Sequence, residues 1–314
     1  MDSQHGILII DKPAGPTSHD IVMIVKRILR ARKVGHIGTL DPIASGVLPL
    51  CINNATRLAR FLEDGEKEYL AVIKLGEETD TYDSAGSVVA KCDTASLDKK
   101  NVTAVIDSFK GKIKQMPPMF SAVKMNGISL YKLARLGVEV ERRPRDIEIY
   151  SICVNDITIP FVTVRVVCSK GTYIRSLAFD IGRKLGCGAH IVSLRRIKSG
   201  QFSLKQSITI DSLRNFQEDI AAKSIISIER IFADIYDIEV DTTSAGRIMD
   251  GIAPLPTLLA GKAVRPSSAV LSKGIDFSSS IRDDEMVSFT SNGKIIALAR
   301  YKGSGGFKLE RVFK

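Results

Sequence analysis

Residues 35–49 read GHIGTLDPIASGVLP and carry the most specific local signal in the chain. The stretch holds one carboxylate, Asp41, and one imidazole, His36. Because Pro42 disfavours the α region at the residue before it, Asp41 is predicted to lie in an extended loop rather than on a helix. Asp-Pro is also ordinary turn chemistry, in which the aspartate caps its own backbone. Loops carry function more often than the elements they connect, so this loop is a candidate for catalysis.

The residues before this loop predict a strand, a turn and a basic helix. Gly6–Ile10 form a short apolar run, and the following DKPAGPTS contains Lys-Pro and Gly-Pro pairs that force a turn. Thr17 or Ser18 can cap the next helix. Its apolar face is predicted from five residues at helical spacing, Ile21, Ile24, Val25, Ile28 and Leu29. Five basic residues and no acid lie between Ile21 and Leu40, which suits either a solvated helix face or contact with nucleic-acid phosphates.

Periodicity predicts further strands and helices after the loop. KEYLAVIKLG alternates with a period of two, which predicts a strand carrying Tyr69 near its start. GEETDTYDSAG is acidic and lacks the ligand spacing of a calcium loop, so it is interpreted as a turn-rich loop. Helices are predicted at Leu97–Phe109 and Ser129–Leu136, and strands at Ile147–Val154 and Phe161–Cys168.

The segment SKGTYIRSLAFDIGRKLG predicts a helix that opens at Gly171 and Thr172. Tyr173 and Arg175 are then expected in its first turn, beside free backbone N–H groups that favour anions. A cation is unfavourable at a helix start unless an acidic partner lies nearby, and Asp41 is the partner that we predict. HIVSLRRIKSGQF, which follows, predicts a further strand.

Composition narrows the class of protein. The chain has 314 residues, enough for one large domain or for a large and a small one. A net charge of +10 and a pI near 9.3 favour a polyanionic partner, with nucleic acid first. Five scattered cysteines without a CxxC pair argue against structural zinc and a disulfide framework, and they favour a reducing compartment. The polar N-terminus and the lack of a membrane-length apolar stretch lead us to expect a cytoplasmic protein.

The C-terminal part of the chain reads as a separate unit. The helical pattern weakens around Ile210–Ser227, and short β-type runs separated by Gly, Ser and Asp follow it. We therefore predict a domain boundary that separates residues 1–228 from residues 229–314.

The loop at residues 35–49 closely resembles the catalytic-loop motif of the bacterial tRNA pseudouridine-55 synthases, the TruB family. Five further strings match the same family: DKPxGxTS, GxxTDTxDxxG, QxPPxFSAxK, LYxLAR and GTYIR. The matches extend across most of the chain, and one small departure is Ile37, where the family often has threonine. The C-terminal part is similar to a PUA domain, a small β-barrel-like RNA-binding module.

The resemblance implies an α+β fold, with a mixed, mainly antiparallel sheet, flanking helices and the small PUA-like domain. It also implies an isomerase that converts uridine 55 in the T loop of tRNA to pseudouridine after flipping the base out of the loop. Asp41 would be the catalytic carboxylate, Arg175 would keep it ionised and oriented, and Tyr69 would stack under the target base.

Four more residues acquire roles at the substrate from the resemblance. Tyr173 would hold the base, and Leu194 would line the uracil pocket. His36 would occupy the space that the flipped base leaves, and Lys12 would contact backbone or support the loop. The reaction changes no oxidation state, which fits a chain without dinucleotide or triphosphate motifs, so we expect no cofactor and no metal.

Two alternatives stand beside a tRNA enzyme that acts alone. One is a related pseudouridine synthase that acts on another RNA or works with guide-RNA partners, and the other is a non-catalytic RNA-binding or folding factor. The presence of Asp41, Tyr69, Tyr173 and Arg175 favours an enzyme. The lack of long basic tails favours a monomer that acts on the T stem-loop of tRNA without a protein partner. Metal-dependent phosphoryl transfer would need carboxylates clustered around a metal, and GEETDTYDSAG has no complementary ligand set.

Overall fold

A computed structural model of the chain describes residues 5–125, 127–215, 223–255, 259, 264–266 and 281–313. The chain divides into two units. The first comprises Leu8–Leu50 and Leu58–Ser224, and the second comprises Met1–Ile7, Cys51–Arg57 and Ile225–Lys314. The domain boundary between residues 228 and 229 stays a prediction.

The strands of the described part, numbered in chain order, are β1 (Gly6–Lys12), β2 (Val34–His36), β3 (Ala44–Ile52), β4 (Lys67–Leu75), β5 (Glu77–Thr79), β6 (Val88–Lys91), β7 (Gly111–Gln115), β8 (Lys124–Met125), β9 (Ile128–Ser129), β10 (Arg145–Thr158), β11 (Phe161–Cys168), β12 (Ala189–Ser199), β13 (Phe202–Ser203), β14 (Ile225–Ile226), β15 (Tyr236–Glu239), β16 (Val264–Pro266), β17 (Met286–Ser291), β18 (Lys294–Tyr301) and β19 (Phe307–Val312).

The α-helices of the same residues are α1 (Ser18–Ile28), α2 (Ala59–Leu62), α3 (Lys99–Asp107), α4 (Leu130–Arg135), α5 (Ile174–Leu185), α6 (Ile210–Asn215), α7 (Ile228–Ile231) and α8 (Thr242–Met249). Short 3₁₀ helices cover Asn53–Leu58, Leu204–Gln206 and Gly303–Gly305.

One large sheet organises the first unit. Its strands follow the order β1-β3-β12-β4-β11-β10-β7, with β2 beside β3 and β13 beside β12. The pairs from β12 to β7 are antiparallel, whereas β12 and β3 run parallel. The predicted alternation of β4 is confirmed, since its residues are alternately buried and half-buried. This mixed, mainly antiparallel sheet with flanking helices confirms the α+β fold.

The parallel contact between β3 and β12 brings the Asp41 loop to the centre of the sheet. Gly46 lies opposite Arg196 in this register. Its φ is +100°, and a Cβ built there would lie 2.2 Å from the Arg196 carbonyl oxygen. Only glycine allows this approach of the two strands.

Helix α1 is fixed at its start in a way that also fixes the loop. Thr17 caps the helix, accepting a hydrogen bond from the Asp20 backbone N–H at 3.1 Å, while the Asp20 carboxylate accepts one from the Thr17 N–H at 2.9 Å. Ser18, the other predicted cap, is the first helical residue. Its hydroxyl donates to the Leu40 carbonyl and accepts from the Leu40 N–H, both at 2.9 Å, so the residue before Asp41 is tied to the helix.

The second unit contains a five-stranded sheet in the order β16-β15-β17-β18-β19. A cluster of buried side chains that includes Ile238, Val287 and Phe289 packs beside it, together with Ala245 and Ile248 of α8. Its assignment as a PUA-like domain stays a prediction. Within the described residues, no helix is long and apolar enough to cross a membrane, and no group of three His, Cys, Asp or Glu side chains could hold a metal ion.

Candidate active site

Asp41 lies in the loop between β2 and β3, and its side chain is about one-third exposed (32%). Lys12, which is fully buried, holds this loop through hydrogen bonds to its backbone. The Lys12 ammonium donates to the carbonyls of Ala44 at 2.7 Å, Pro13 at 2.9 Å and Pro42 at 3.2 Å. All three of its protons are used in these bonds, which agrees with the expectation that Lys12 contacts backbone and supports the loop.

Arg175 is the buried partner of Asp41. The Arg175 side chain is 4% exposed, and its Nε donates to Oδ2 of Asp41 at 2.8 Å. Helix α5 begins at Ile174, so Arg175 is in the first turn as predicted, but Tyr173 is the residue before the helix rather than part of it. The predicted pairing across the sheet is therefore present in the structure.

The rest of the Arg175 guanidinium is also occupied. Nη1 donates to the Thr81 carbonyl at 3.0 Å and lies 3.4 Å from Oδ2 of Asp83, while Nη2 donates to the Phe120 carbonyl at 2.8 Å. Asp83 is a site residue that the sequence reasoning missed. It lies in the acidic GEETDTYDSAG segment, whose composition predicts a turn-rich loop and which contains β5 near its start.

Tyr173 is fixed by a second buried side chain, Gln115. The Gln115 amide donates from Nε2 to the Tyr173 carbonyl at 3.0 Å and accepts at Oε1 from the Tyr173 N–H at 2.8 Å. This N–H, expected to be free for an anion, is therefore occupied. Burial raises the pKa of the Tyr173 phenol above its ordinary value, so the ring stays neutral.

A cavity of about 350 Å³ opens beside the loop. It is lined by four of the predicted site residues, Asp41, Tyr69, Tyr173 and Leu194. Arg175 is not part of the lining and lies behind Asp41. Burial raises the pKa of the Tyr69 phenol, and the ring lies almost wholly inside the protein. The volume falls within the range of small-molecule sites and suits a nucleoside.

His36 does not line this cavity. It ends β2, and its Nδ1 is buried without a hydrogen-bond partner among the described residues. Burial lowers the pKa of the imidazole, and the positive charge of Arg196 lowers it further. The ring is thus a neutral group beside the loop that leads to Asp41.

Two of the cations that line the cavity are buried and were not singled out from sequence. Lys67 lies on β4 two residues before Tyr69, and Arg196 lies on β12 two residues after Leu194. No local pattern marks them, because lysine and arginine on a strand ordinarily face solvent.

Family models place the chain among known proteins. A model described as the N-terminal domain of TruB family pseudouridylate synthase matches residues 26–174, and one described as the tRNA pseudouridylate synthase B C-terminal domain matches residues 175–233. The chain belongs to the TruB family. Members of this family are isomerases that form pseudouridine in RNA, and this TruB-family chain is such an enzyme.

Curated relatives match most of this TruB-family chain. A protein named tRNA pseudouridine synthase B from Geotalea uraniireducens is 41% identical over 98% of this chain and 97% of its own length. A protein of the same name from Clostridium acetobutylicum is 48% identical over 79% of this chain and 84% of its own length.

A solved structure supports the fold of the TruB-family chain. The chain is similar to one in a Cbf5-Nop10-Gar1 complex, with a TM-score of 0.73 and 29% identity over 100% of this chain and 86% of the other.

Proposed function

We propose that this chain converts uridine 55 in the T loop of tRNA to pseudouridine, with Asp41 as the carboxylate that acts on the sugar. The observation that carries the proposal is the Asp41–Arg175 pair at the wall of a nucleoside-sized cavity. A guanidinium buried behind the carboxylate keeps one oxygen oriented and leaves the other free for the substrate.

The reaction requires one bond to break and another to form. The C1′–N1 bond of uridine breaks, the uracil rotates, a C1′–C5 bond forms, and the hydrogen on C5 leaves as a proton while N1 gains one. Electrons balance without an oxidant, a reductant or a nucleotide cofactor. Asp41 can serve as nucleophile or base at the sugar, and the cavity keeps the departing uracil in place while it turns.

Three other lining residues suit the flat faces of a base. Tyr69 offers a neutral aromatic ring for stacking, Tyr173 offers a second ring and a phenol, and Leu194 offers an aliphatic wall. Extrusion of the base from a folded T loop costs roughly a few kcal/mol. We assign to His36 the role of filling the gap in the RNA, because its neutral imidazole lies next to the catalytic loop outside the base cavity.

The relatives support tRNA as the substrate, because they share the name tRNA pseudouridine synthase B at 40–48% identity. The net charge of +10 supports a polyanionic substrate. The structural likeness to a chain in a complex with two other proteins favours a second candidate, an enzyme that needs partner proteins. Activity of the purified chain on a T stem-loop RNA with nothing added separates the two.

The test is to map pseudouridine in tRNA from cells that lack this protein. We expect uridine in place of pseudouridine at position 55, and recovery of the modification when the chain is restored. Modification at position 55 that persists in the deleted strain would overturn the proposal. A purified chain that is active only with added proteins would favour the second candidate.

A further inference from the structure

The cavity contains two buried cations that no carboxylate neutralises. Arg196 is 1% exposed and Lys67 is 6% exposed, and both line the cavity. Neither makes an ion pair within 4.0 Å in the part of the chain that the structure describes. Burial of a charge without a partner is costly, and such groups concentrate at functional sites.

The hydrogen bonds that Arg196 and Lys67 donate to backbone carbonyls do not require both side chains to be charged. Arg196 donates from Nε to the Val47 carbonyl at 2.8 Å, from Nη2 to the Gly38 carbonyl at 2.9 Å and from Nη1 to the Thr39 carbonyl at 3.4 Å. Lys67 donates to the Glu63 carbonyl at 3.0 Å, its one acceptor among the described residues. Two N–H groups of the Lys67 ammonium are therefore left for a ligand in the cavity.

The two charges repel each other. Burial lowers the pKa of Lys67 to about 8, and the charge of Arg196 is the second cause, ahead of the opposing attraction of Glu63. The fold thus retains an excess of positive charge at the cavity wall. A packing role alone would be met better by an apolar side chain of similar size.

The register of the sheet places both cations next to Tyr69. Arg196 lies opposite Tyr69 in the pairing of β12 with β4, and the phenol lies beside its guanidinium. Lys67 precedes Tyr69 by two residues on β4 and therefore projects from the same face. A uracil stacked on the Tyr69 ring would have a cation at its edge.

Resting on the proposed function, we propose that Lys67 and Arg196 stabilise the negative charge that uracil acquires when the C1′–N1 bond breaks. The electron pair of that bond leaves with the base and spreads over N1, O2 and O4. This holds when Asp41 attacks C1′ and equally when it removes a sugar proton, because in both routes the base departs as an anion. Cations held in place in a shielded cavity stabilise such charge far more than water does.

The first test is a single-turnover comparison on a T stem-loop RNA. Lys67→Met should slow conversion of uridine by about 100-fold or more, as removal of one donor at a developing anion does in other enzymes. RNA affinity should change by less than about threefold, since the effect lies in the reaction and not in binding. Lys74→Met is the matched control, because Lys74 lies on the same strand, pairs with Glu77 and does not line the cavity. It should react at the wild-type rate.

The second test separates charge stabilisation from a structural role. Fluorine on C5 withdraws electrons and makes the base a better leaving group, so an RNA with 5-fluorouridine at the target position needs less help. The rate deficit of Lys67→Met, measured as loss of 5-fluorouridine from digested RNA, should shrink several-fold relative to the uridine substrate. Equal deficits for the two bases, or a deficit explained by weaker RNA binding, would overturn the proposal.

Folding is followed by thermal melting of each variant. If Lys67→Met does not fold, Lys67→Arg and Lys67→Gln are compared instead. The charged Lys67→Arg should convert uridine faster than the neutral Lys67→Gln. The rate deficit of Lys67→Gln should shrink on the 5-fluorouridine RNA. A wild-type chain that leaves uridine unchanged would refute the proposed function itself, before any variant is compared.

Discussion

Arg175 Nε lies 2.8 Å from Oδ2 of Asp41, joining residues that are 134 positions apart in the sequence. The contact explains a cation in the first turn of α5, where the helix dipole alone would disfavour it. Asp83 approaches the same guanidinium at 3.4 Å, so one buried cation lies between two carboxylates.

Replacing Arg175 should reduce turnover while leaving RNA binding nearly intact. In Arg175→Met, Asp41 loses its orienting hydrogen bond and the buried Asp83 carboxylate loses its cation, so we expect a loss of several orders of magnitude in the single-turnover rate. Arg175→Lys should be only somewhat better, because one ammonium cannot reach acceptors spread around a planar fork. Lys184→Met, on the exposed side of the same helix, is the control. A wild-type rate for Arg175→Met would remove the pair from the mechanism.

Asp83→Asn tests the second carboxylate. Oδ1 of Asp83 accepts from the Thr81 hydroxyl at 2.7 Å and the Ala85 N–H at 3.0 Å, and an asparagine oxygen can keep both bonds. The fold should therefore survive, while loss of the charge lets the guanidinium move and lowers the rate by about 10- to 100-fold. Asp80→Asn in the same loop, whose carboxylate caps Ser87 at the surface, should change little. An unaltered rate in Asp83→Asn would mean that Asp41 alone positions the guanidinium.

The stability of the fold should depend on pH through Lys67. Its pKa is lowered to about 8 from an ordinary value near 10.5 by burial, then by Arg196, against weaker attraction from Glu63, Cys168 and Asp64. Below pH 8 the Lys67 ammonium is charged in both the folded and the unfolded state, and burial of this charge destabilises the folded protein in full. Between pH 8 and 10.5 the folded state loses the proton first, so the contribution of this group to stability rises with pH.

Lys67→Met should therefore be more stable than the wild type at pH 7, and its advantage should shrink as the pH rises through 8 towards 10. Lys12, whose pKa is also lowered to about 8 by burial, is present in both proteins, so its contribution cancels in the difference. Chemical denaturation of both proteins across this range provides the measurement. A stability difference that does not vary with pH would show that Lys67 keeps its ordinary pKa in the folded state.

Gly46→Ala should destabilise the fold more than an alanine at another glycine of similar backbone angle. At Gly111 the φ is +105° and no atom lies within 4 Å of an added Cβ, so that substitution costs only backbone strain, about 1–3 kcal/mol. At Gly46 the Cβ would also meet the Arg196 carbonyl at 2.2 Å and push β3 away from β12. Equal unfolding free energies for the two variants would contradict the close approach of these strands.

Local sequence patterns predict those features of the fold that depend on residues close together in the sequence. The alternation of β4 and the cap at Thr17 follow from side-chain periodicity and local hydrogen bonding. Arg195 and Arg196 show the limit of prediction from local patterns. The first pairs with Asp11 at the surface, and the second is buried at the cavity. The sequence alone does not indicate which of these two adjacent arginines lies on the buried face of the strand.

The missed site residues share one physical cause. Gln115 meets Tyr173 across 58 positions, and Asp83 meets Arg175 through a turn whose composition signals only a loop. Such contacts arise from the order of strands in the sheet, which local periodicity does not determine.

The role of Asp41 is the central claim, and it is tested most directly at C5 of the uridine. Formation of the C1′–C5 bond expels the hydrogen on C5, so a T stem-loop RNA labelled with tritium at that carbon releases its label when pseudouridine forms. Wild-type protein should release the tritium in a single turnover. Asp41→Asn should release none above background while binding the RNA within about tenfold of the wild-type affinity, because the residue performs chemistry and contributes little to binding. Tritium release by Asp41→Asn at a rate near that of the wild type would contradict the account.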